Sequence, residues 1–134
     1  MKAKDLMRLA VAARERAYAP YSGFMVGAAL LGKSGKVYFG CNVENAGYSA
    51  TNCAERTAFF KAISDGEHEF EAIAIVGGKK GEALTFCTPC GVCRQVMAEF
   101  CDGDFPVVLG TPDKYEIHKL SELLPMAFTP DSLN

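Results

Sequence analysis

The chain lacks most of what marks a secreted, membrane-bound or nucleic-acid-binding protein. Its opening stretch, MKAKDLMRLA, has no apolar segment of the kind that drives secretion. Its longest run of uncharged apolar or glycine residues, FMVGAALLG at 24–32, is far too short to span a bilayer. No dense basic run occurs: 14 lysines and arginines are spread from Lys2 to Lys119, and the net charge of −2 gives no electrostatic footprint for a polyanion. Only two histidines are present, His68 and His118, both distant in sequence from the cysteines and read as solvent-facing. Repeats, linkers and low-complexity segments are missing too. The expectation is one cytoplasmic domain over residues 1–134, with no membrane and no nucleic acid among its partners.

What is present fits a folded core. Hydrophobic residues make up 49% and charged residues 22%, close to the globular average. Six cysteines without a secretory signal are read as thiols, ligands or core residues in a reducing compartment, not as a disulfide framework.

KDLMRLAVAARERAY places Leu6, Leu9, Ala10, Ala13 and Ala17 at helical spacing, with Lys4, Arg8, Arg14 and Glu15 on the side left to solvent. FMVGAALL and VYFGCNV, joined by GKSGK, predict a hairpin. Residues 27–34, GAALLGKS, also satisfy the phosphate-loop pattern G-x-x-x-x-G-K-[ST]. That loop needs a helix after it to aim N–H groups at phosphate, and here a second strand follows, so the hairpin turn is the better reading. CAERTAFFKAIS predicts a helix with Phe59, Phe60 and Ile63 turned inward and Asn52 or Thr51 as its cap. FEAIAIVGG predicts a buried strand, TPCGVCRQVMAEF a helix entered through Pro89, FPVVLG and KYEIHKL two more strands, and SELLP a short helical turn. This order predicts an α/β sandwich with a mixed sheet.

Cys53 opens one predicted helix, and Cys90 and Cys93 open another. Helix N-termini carry partial positive charge, which favours thiolates and makes them ready ligands for Zn²⁺. Three cysteines leave the fourth position of a tetrahedral zinc open, as a catalytic site requires. Glu55 lies two positions after Cys53, about 200° around a helix, so the two can converge only around the helix end. A carboxylate beside zinc can take a proton from water and pass it on. Three thiolates leave the site at −1, and Arg56, on the face of Cys53, is placed to draw charge from sulfur, with Gln95 as a second donor. Two plainer readings remain open at this level. Cys90 and Cys93 alone would make a redox pair. Cys87 would complete a closed four-cysteine zinc, or else end a strand as a small apolar residue.

Cys-Ala-Glu at 53–55 with Pro-Cys-x-x-Cys at 89–93 resembles the signature of the zinc nucleobase deaminases. Together with YAPYSGFMVGAAL at 18–30, GCNVENAGYS at 40–49, CAERTAFFKA and PCGVCRQV, nearly the whole chain is similar to the short, homotetrameric cytidine deaminases. The resemblance implies a three-layer α-β-α sandwich around a five-stranded mixed sheet and one Zn²⁺ per subunit on Cys53, Cys90 and Cys93. It makes Glu55 the proton shuttle in hydrolysis of the 4-amino group of cytidine and deoxycytidine, in pyrimidine salvage. It further implies that Asn42 and Glu44 bind the ribose hydroxyls, that Phe24 and Tyr48 line the nucleoside pocket, and that the backbone around Ala54 holds the base edge. Phe128 would reach in from a neighbouring subunit, so that active sites are shared. Competing expectations are a deaminase of another aminopyrimidine such as the blasticidin antibiotic, an editor of cytosine in a polynucleotide, and a zinc-stabilised binding domain without catalysis.

Overall fold

The computed structural model describes residues 1–133; Asn134, the last residue of the expected domain, lies outside the described residues. Helix α1 (Ala3–Arg14) precedes the hairpin of β1 (Phe24–Gly32) and β2 (Val37–Cys41). Helix α2 (Ala54–Ser64), strand β3 (Phe70–Lys79), helix α3 (Gly91–Phe100), strands β4 (Pro106–Gly110) and β5 (Tyr115–Lys119), and the short α4 (Leu120–Leu123) follow. Two 3₁₀ turns occupy Tyr48–Ala50 and Pro130–Leu133. None of the described helices is long and apolar enough to cross a membrane.

The sheet runs β2-β1-β3-β4-β5 and is mixed: β3 and β4 are parallel, and the other neighbours are antiparallel. Strand alternation splits the core in two. Ala28, Leu30, Ile73, Ile75, Val107 and Leu109 face α2, α3 and α4 and surround Phe59. Ala29, Ala74, Val76 and Val108 face Leu6, Met7 and Ala10 of α1. The three-layer arrangement and the five-stranded mixed sheet are as expected.

GAALLGKS is the end of β1 and the hairpin turn, closed by Gly35 at φ 92° and followed by β2. No helix begins there, and the phosphate-loop match is coincidental.

Three expectations are corrected. Arg14 is not on the solvent side: it is 9% exposed, and its guanidinium donates to the carbonyls of Met25 (3.0 Å), Gly78 (2.8 Å) and Lys79 (3.2 Å), where β1 and β3 leave acceptors free. Phe60 is 49% exposed, because the inward stripe of α2 runs through Ala54, Glu55, Ala58, Phe59 and Ala62. His118 is half-buried and bonded to Glu116 (2.8 Å), with Glu122 at 3.6 Å, whereas His68 is exposed as expected.

Two helices ride on glycine. A methyl placed on Gly27 would lie 2.2 Å from the Ala10 carbonyl oxygen, and one on Gly40 would lie 2.1 Å from the Ala54 carbonyl oxygen and 2.6 Å from the Ala58 nitrogen. Both neighbours are backbone, so nothing can swing aside. Gly40→Ala therefore lifts α2 and is expected to cost roughly 1–3 kcal/mol or more, read as a lower urea midpoint. An unchanged midpoint would show that α2 does not depend on that seat.

Candidate metal centre and active site

The topology brings the cysteines together. Strands β2 and β3 are both antiparallel to β1, and β3 is parallel to β4, so β2, β3 and β4 share one direction. Helices α2 and α3, the connections after β2 and β3, both start at the C-terminal end of those strands, where open α/β sheets place their ligands.

Cys53 is the N-cap of α2 and Cys90 the N-cap of α3, both extended and neither making a side-chain cap bond. The N-cap expectation for Asn52 or Thr51 is thus corrected, since the chain enters the helix one residue later. Both thiols thus sit at the positive end of a helix dipole. Cys93, in the first turn of α3, is buried. The Sγ atoms of Cys53 and Cys90 are 3.8 Å apart and those of Cys90 and Cys93 3.5 Å, and all three lie within 4.8 Å of one another. That donor set suits one zinc, with an open fourth position.

Cys87 does not join this cluster. It lies in the irregular segment after β3, not at a strand end, and burial pushes its thiol up to about 11, with the charges of Glu55 and Cys53 adding to the rise. The closed four-cysteine reading fails on this geometry.

The electrostatics follow from burial and pairing. Cys53 is held down to about 5, first by the hydrogen bond from the Cys93 thiol and then by Arg56 and Cys90, against its own burial. Cys93 is pushed strongly upward by the same pairing and by burial. The Arg56 guanidinium donates to Cys53 Sγ at 3.2 Å, the placement expected from its spacing. Its Nε is buried with no partner among the described residues. Gln95 reaches no thiol: it is exposed on α3 and donates to the Phe128 carbonyl at 2.8 Å, so its expected part in charge tuning is not what its side chain does here.

Glu55 is 4% exposed in the first turn of α2. Burial raises its carboxyl to about 7, with the neighbouring Cys53 charge adding to the rise. A carboxyl poised near neutrality at the mouth of a zinc site is suited to taking and returning a proton.

The other expected site residues are held as follows; the pocket that Glu44 and Tyr48 border includes neither the thiols nor Glu55. Asn42 donates from Nδ2 to the Phe24 carbonyl (2.8 Å) and accepts the Val26 N–H on Oδ1 (2.9 Å), continuing the sheet beside β1. Glu44 accepts the N–H groups of Tyr21 (3.0 Å) and Ser22 (3.1 Å) and the Ser22 hydroxyl, which hold its carboxyl below the usual range. Phe24 begins β1, and both its ring and the Cys87 thiol crowd Gly77: a methyl on that glycine would be 3.0 Å from Phe24 Cε1 and 2.9 Å from Cys87 Sγ. Tyr48, 84% exposed, borders an open pocket of about 350 Å³ with Tyr21, Ser22, Glu44, Asn45 and Thr51. Ala54 is fully buried with its carbonyl close over Gly40, and its N–H is the first of the helix, without an intrahelical partner. Phe128 is 59% exposed on the tail that Gln95 holds. Sequence reasoning gave no sign of the Thr57 hydroxyl bond to the Cys53 carbonyl (3.0 Å), because a helical threonine carries no motif, nor of the seat of Arg14, because an arginine on a helix reads as solvated.

Residues 1–109 match the family model for the cytidine and deoxycytidylate deaminase zinc-binding region. The chain is 52% identical to a cytidine deaminase of Sporosarcina psychrophila, with all of this chain and 96% of that protein aligned. It is 53% identical to one of Halalkalibacterium halodurans, over all of this chain and 99% of that protein. The crystal structure of cytidine deaminase from Burkholderia pseudomallei superimposes with a TM-score of 0.87 at 49% identity, covering 96% of this chain and all of that one. A three-thiol cluster at two helix caps, a buried carboxyl beside it and these likenesses agree, and the chain belongs to the cytidine and deoxycytidylate deaminase zinc-binding family.

Proposed function

We propose that this chain hydrolyses cytidine and deoxycytidine to uridine and deoxyuridine with release of ammonia, and that Cys53, Cys90 and Cys93 hold the one zinc this requires. The observation that carries the reading is Glu55, buried at the mouth of a three-thiol cluster with one metal position left open. When bound, zinc supplies the Lewis acidity that makes water a nucleophile near neutral pH. Glu55 takes one proton of the attacking water and delivers it to N3 of the pyrimidine as C4 becomes tetrahedral; it then takes the proton of the new C4 hydroxyl and passes it to the 4-amino group as the C4–N bond breaks, C4 becomes a carbonyl and ammonia leaves. Arg56 draws charge from the Cys53 sulfur and keeps the cluster from over-neutralising the metal.

Asn42 and Glu44 bind the ribose hydroxyls, and hydrogen-bond capacity supports this. Asn42 has spent one donor and one acceptor on β1 and keeps one of each, while the carboxylate of Glu44, with room for about four hydrogen bonds, has three. Phe24 and Tyr48 line the nucleoside pocket, and the Ala54 N–H meets the base edge. The exposed Phe128 ring is the aromatic offered to a neighbouring subunit in a homotetramer with shared sites. The chain acts as a single domain in cytoplasmic pyrimidine salvage, without nucleic acid or membrane.

The test is the zinc-loaded protein with cytidine, followed by the fall in ultraviolet absorbance as the 4-amino group becomes a carbonyl, with ammonia measured in parallel. Turnover is expected from a species of four chain masses by light scattering. No turnover with zinc bound would overturn the nucleoside reading, and an active monomer would overturn the role of Phe128.

A further inference from the structure

Cys53 is gripped on both sides by residues outside the thiol cluster. The backbone of Asn52, just before it, makes a reciprocal pair with Val43, N–H to carbonyl at 3.0 Å each way. The Cys53 carbonyl accepts twice from Thr57, from its N–H at 3.0 Å and from its hydroxyl at 3.0 Å. The Asn52 side chain then donates from Nδ2 to that same hydroxyl at 3.1 Å. The direction of this chain is forced. A carbonyl only accepts, so the single proton of the Thr57 hydroxyl points at Cys53, and the group facing its lone pair must be a donor. Amide, hydroxyl and carbonyl therefore form a one-way series in which each bond polarises the next.

We propose that Asn52 and Thr57 are positioning residues for the metal ligand Cys53: by fixing its carbonyl they fix the peptide plane from which its thiol projects. This rests on the reading of Cys53 as a zinc ligand given above. A helical threonine bonded only to the carbonyl four residues back would be ordinary. The Asn52 donor distinguishes this one, because it commits the hydroxyl to Cys53 and ties it to the residue paired with Val43. Val43 in turn lies between Asn42 and Glu44, and Tyr18 clasps the same stretch, donating its N–H to the Asn42 carbonyl (2.9 Å) and accepting the Glu44 N–H (2.8 Å). The metal ligand and the two polar residues assigned to ribose thus share one backbone clasp.

Outer hydrogen bonds of this kind typically govern metal affinity by about 10–100-fold. Zinc release into excess chromogenic chelator is the measurement, with the thermal midpoint of the zinc-free protein as the structural control. Thr57→Val keeps the shape and removes the hydroxyl, and is expected to release zinc about 10–100-fold faster with the zinc-free midpoint nearly unchanged. Thr57→Ser, which restores the hydroxyl, is expected to return close to the unmodified rate. Asn52→Ala acts in the same direction, and combining it with Thr57→Val adds little, since both break one series. An unmodified release rate in Thr57→Val would overturn the proposal, as would Thr57→Ser behaving like Thr57→Val, or a fall in the zinc-free midpoint with no change in release. If the unmodified protein takes up no zinc, the reading of the cluster itself fails and this inference falls with it.

Discussion

Glu55→Gln lowers turnover of cytidine by about 10²–10⁴-fold, the usual worth of a positioned general acid-base group, and leaves the zinc in place. Glutamine keeps the volume and both hydrogen-bonding ends of the side chain, and at 4% exposure the site has little freedom to rearrange around it. What it loses is the ability to hold a proton and release it. The carboxyl is suited to that task because burial has lifted it to about 7, where neither protonation state is strongly preferred at neutral pH. The thiols contact one another, and Cys53 is held by Arg56, so metal content should survive the change. Zinc content and kcat measured on one preparation separate the possibilities. Lost zinc would make Glu55 part of the metal's support, and full activity would remove it from the reaction.

Stripping the zinc abolishes activity and lowers the melting temperature by roughly 10 °C or more, and adding zinc back restores both. The size follows from linkage. A ligand present at about 1,000 times its dissociation constant stabilises the folded state by about 4 kcal/mol. In this chain the ligands come from two helices, with Cys53 and Cys90 37 positions apart, so the metal also joins α2 to α3. Without it, the helix ends are joined here only by weak thiol contacts among the described residues, Cys53 to Cys90 at 3.8 Å. Melting curves of loaded, stripped and reloaded protein decide this. A stripped protein that melts at the same temperature would show that the two helix ends hold together unaided.

The chemistry of the centre was more legible in the sequence than its supports. Thiols are rare and their spacing is informative: Cys53, Cys90 and Cys93 each stood next to a recognisable helix start, so their convergence needed only the right sheet order. The strands were equally plain, since runs such as FEAIAIVGG have one comfortable environment. Arg14 was misread for a physical reason. Helical periodicity asks whether a residue is apolar, and a guanidinium that reaches three carbonyls at the strand ends satisfies itself by contacts 11 to 65 positions away. Phe60 failed in the opposite sense: it is apolar but sits beside the stripe that Phe59 defines. Gln95 and Thr57 both depend on where a carbonyl happens to point, which no local pattern records.

The grip of Arg14 also sets an order of events during synthesis. Helix α1 is made before every strand, yet the Gly78 carbonyl that its arginine requires lies 64 positions later in the chain. While β2 and α2 are being added, the apolar side of α1 and its guanidinium have only part of their seat, Ala29, Gly27 and the Met25 carbonyl of β1, because Ala74, Val76 and the Gly78 carbonyl belong to β3. A helix made ahead of the whole sheet is therefore among the last elements to be locked, and the nascent chain carries it half-covered until the third strand arrives.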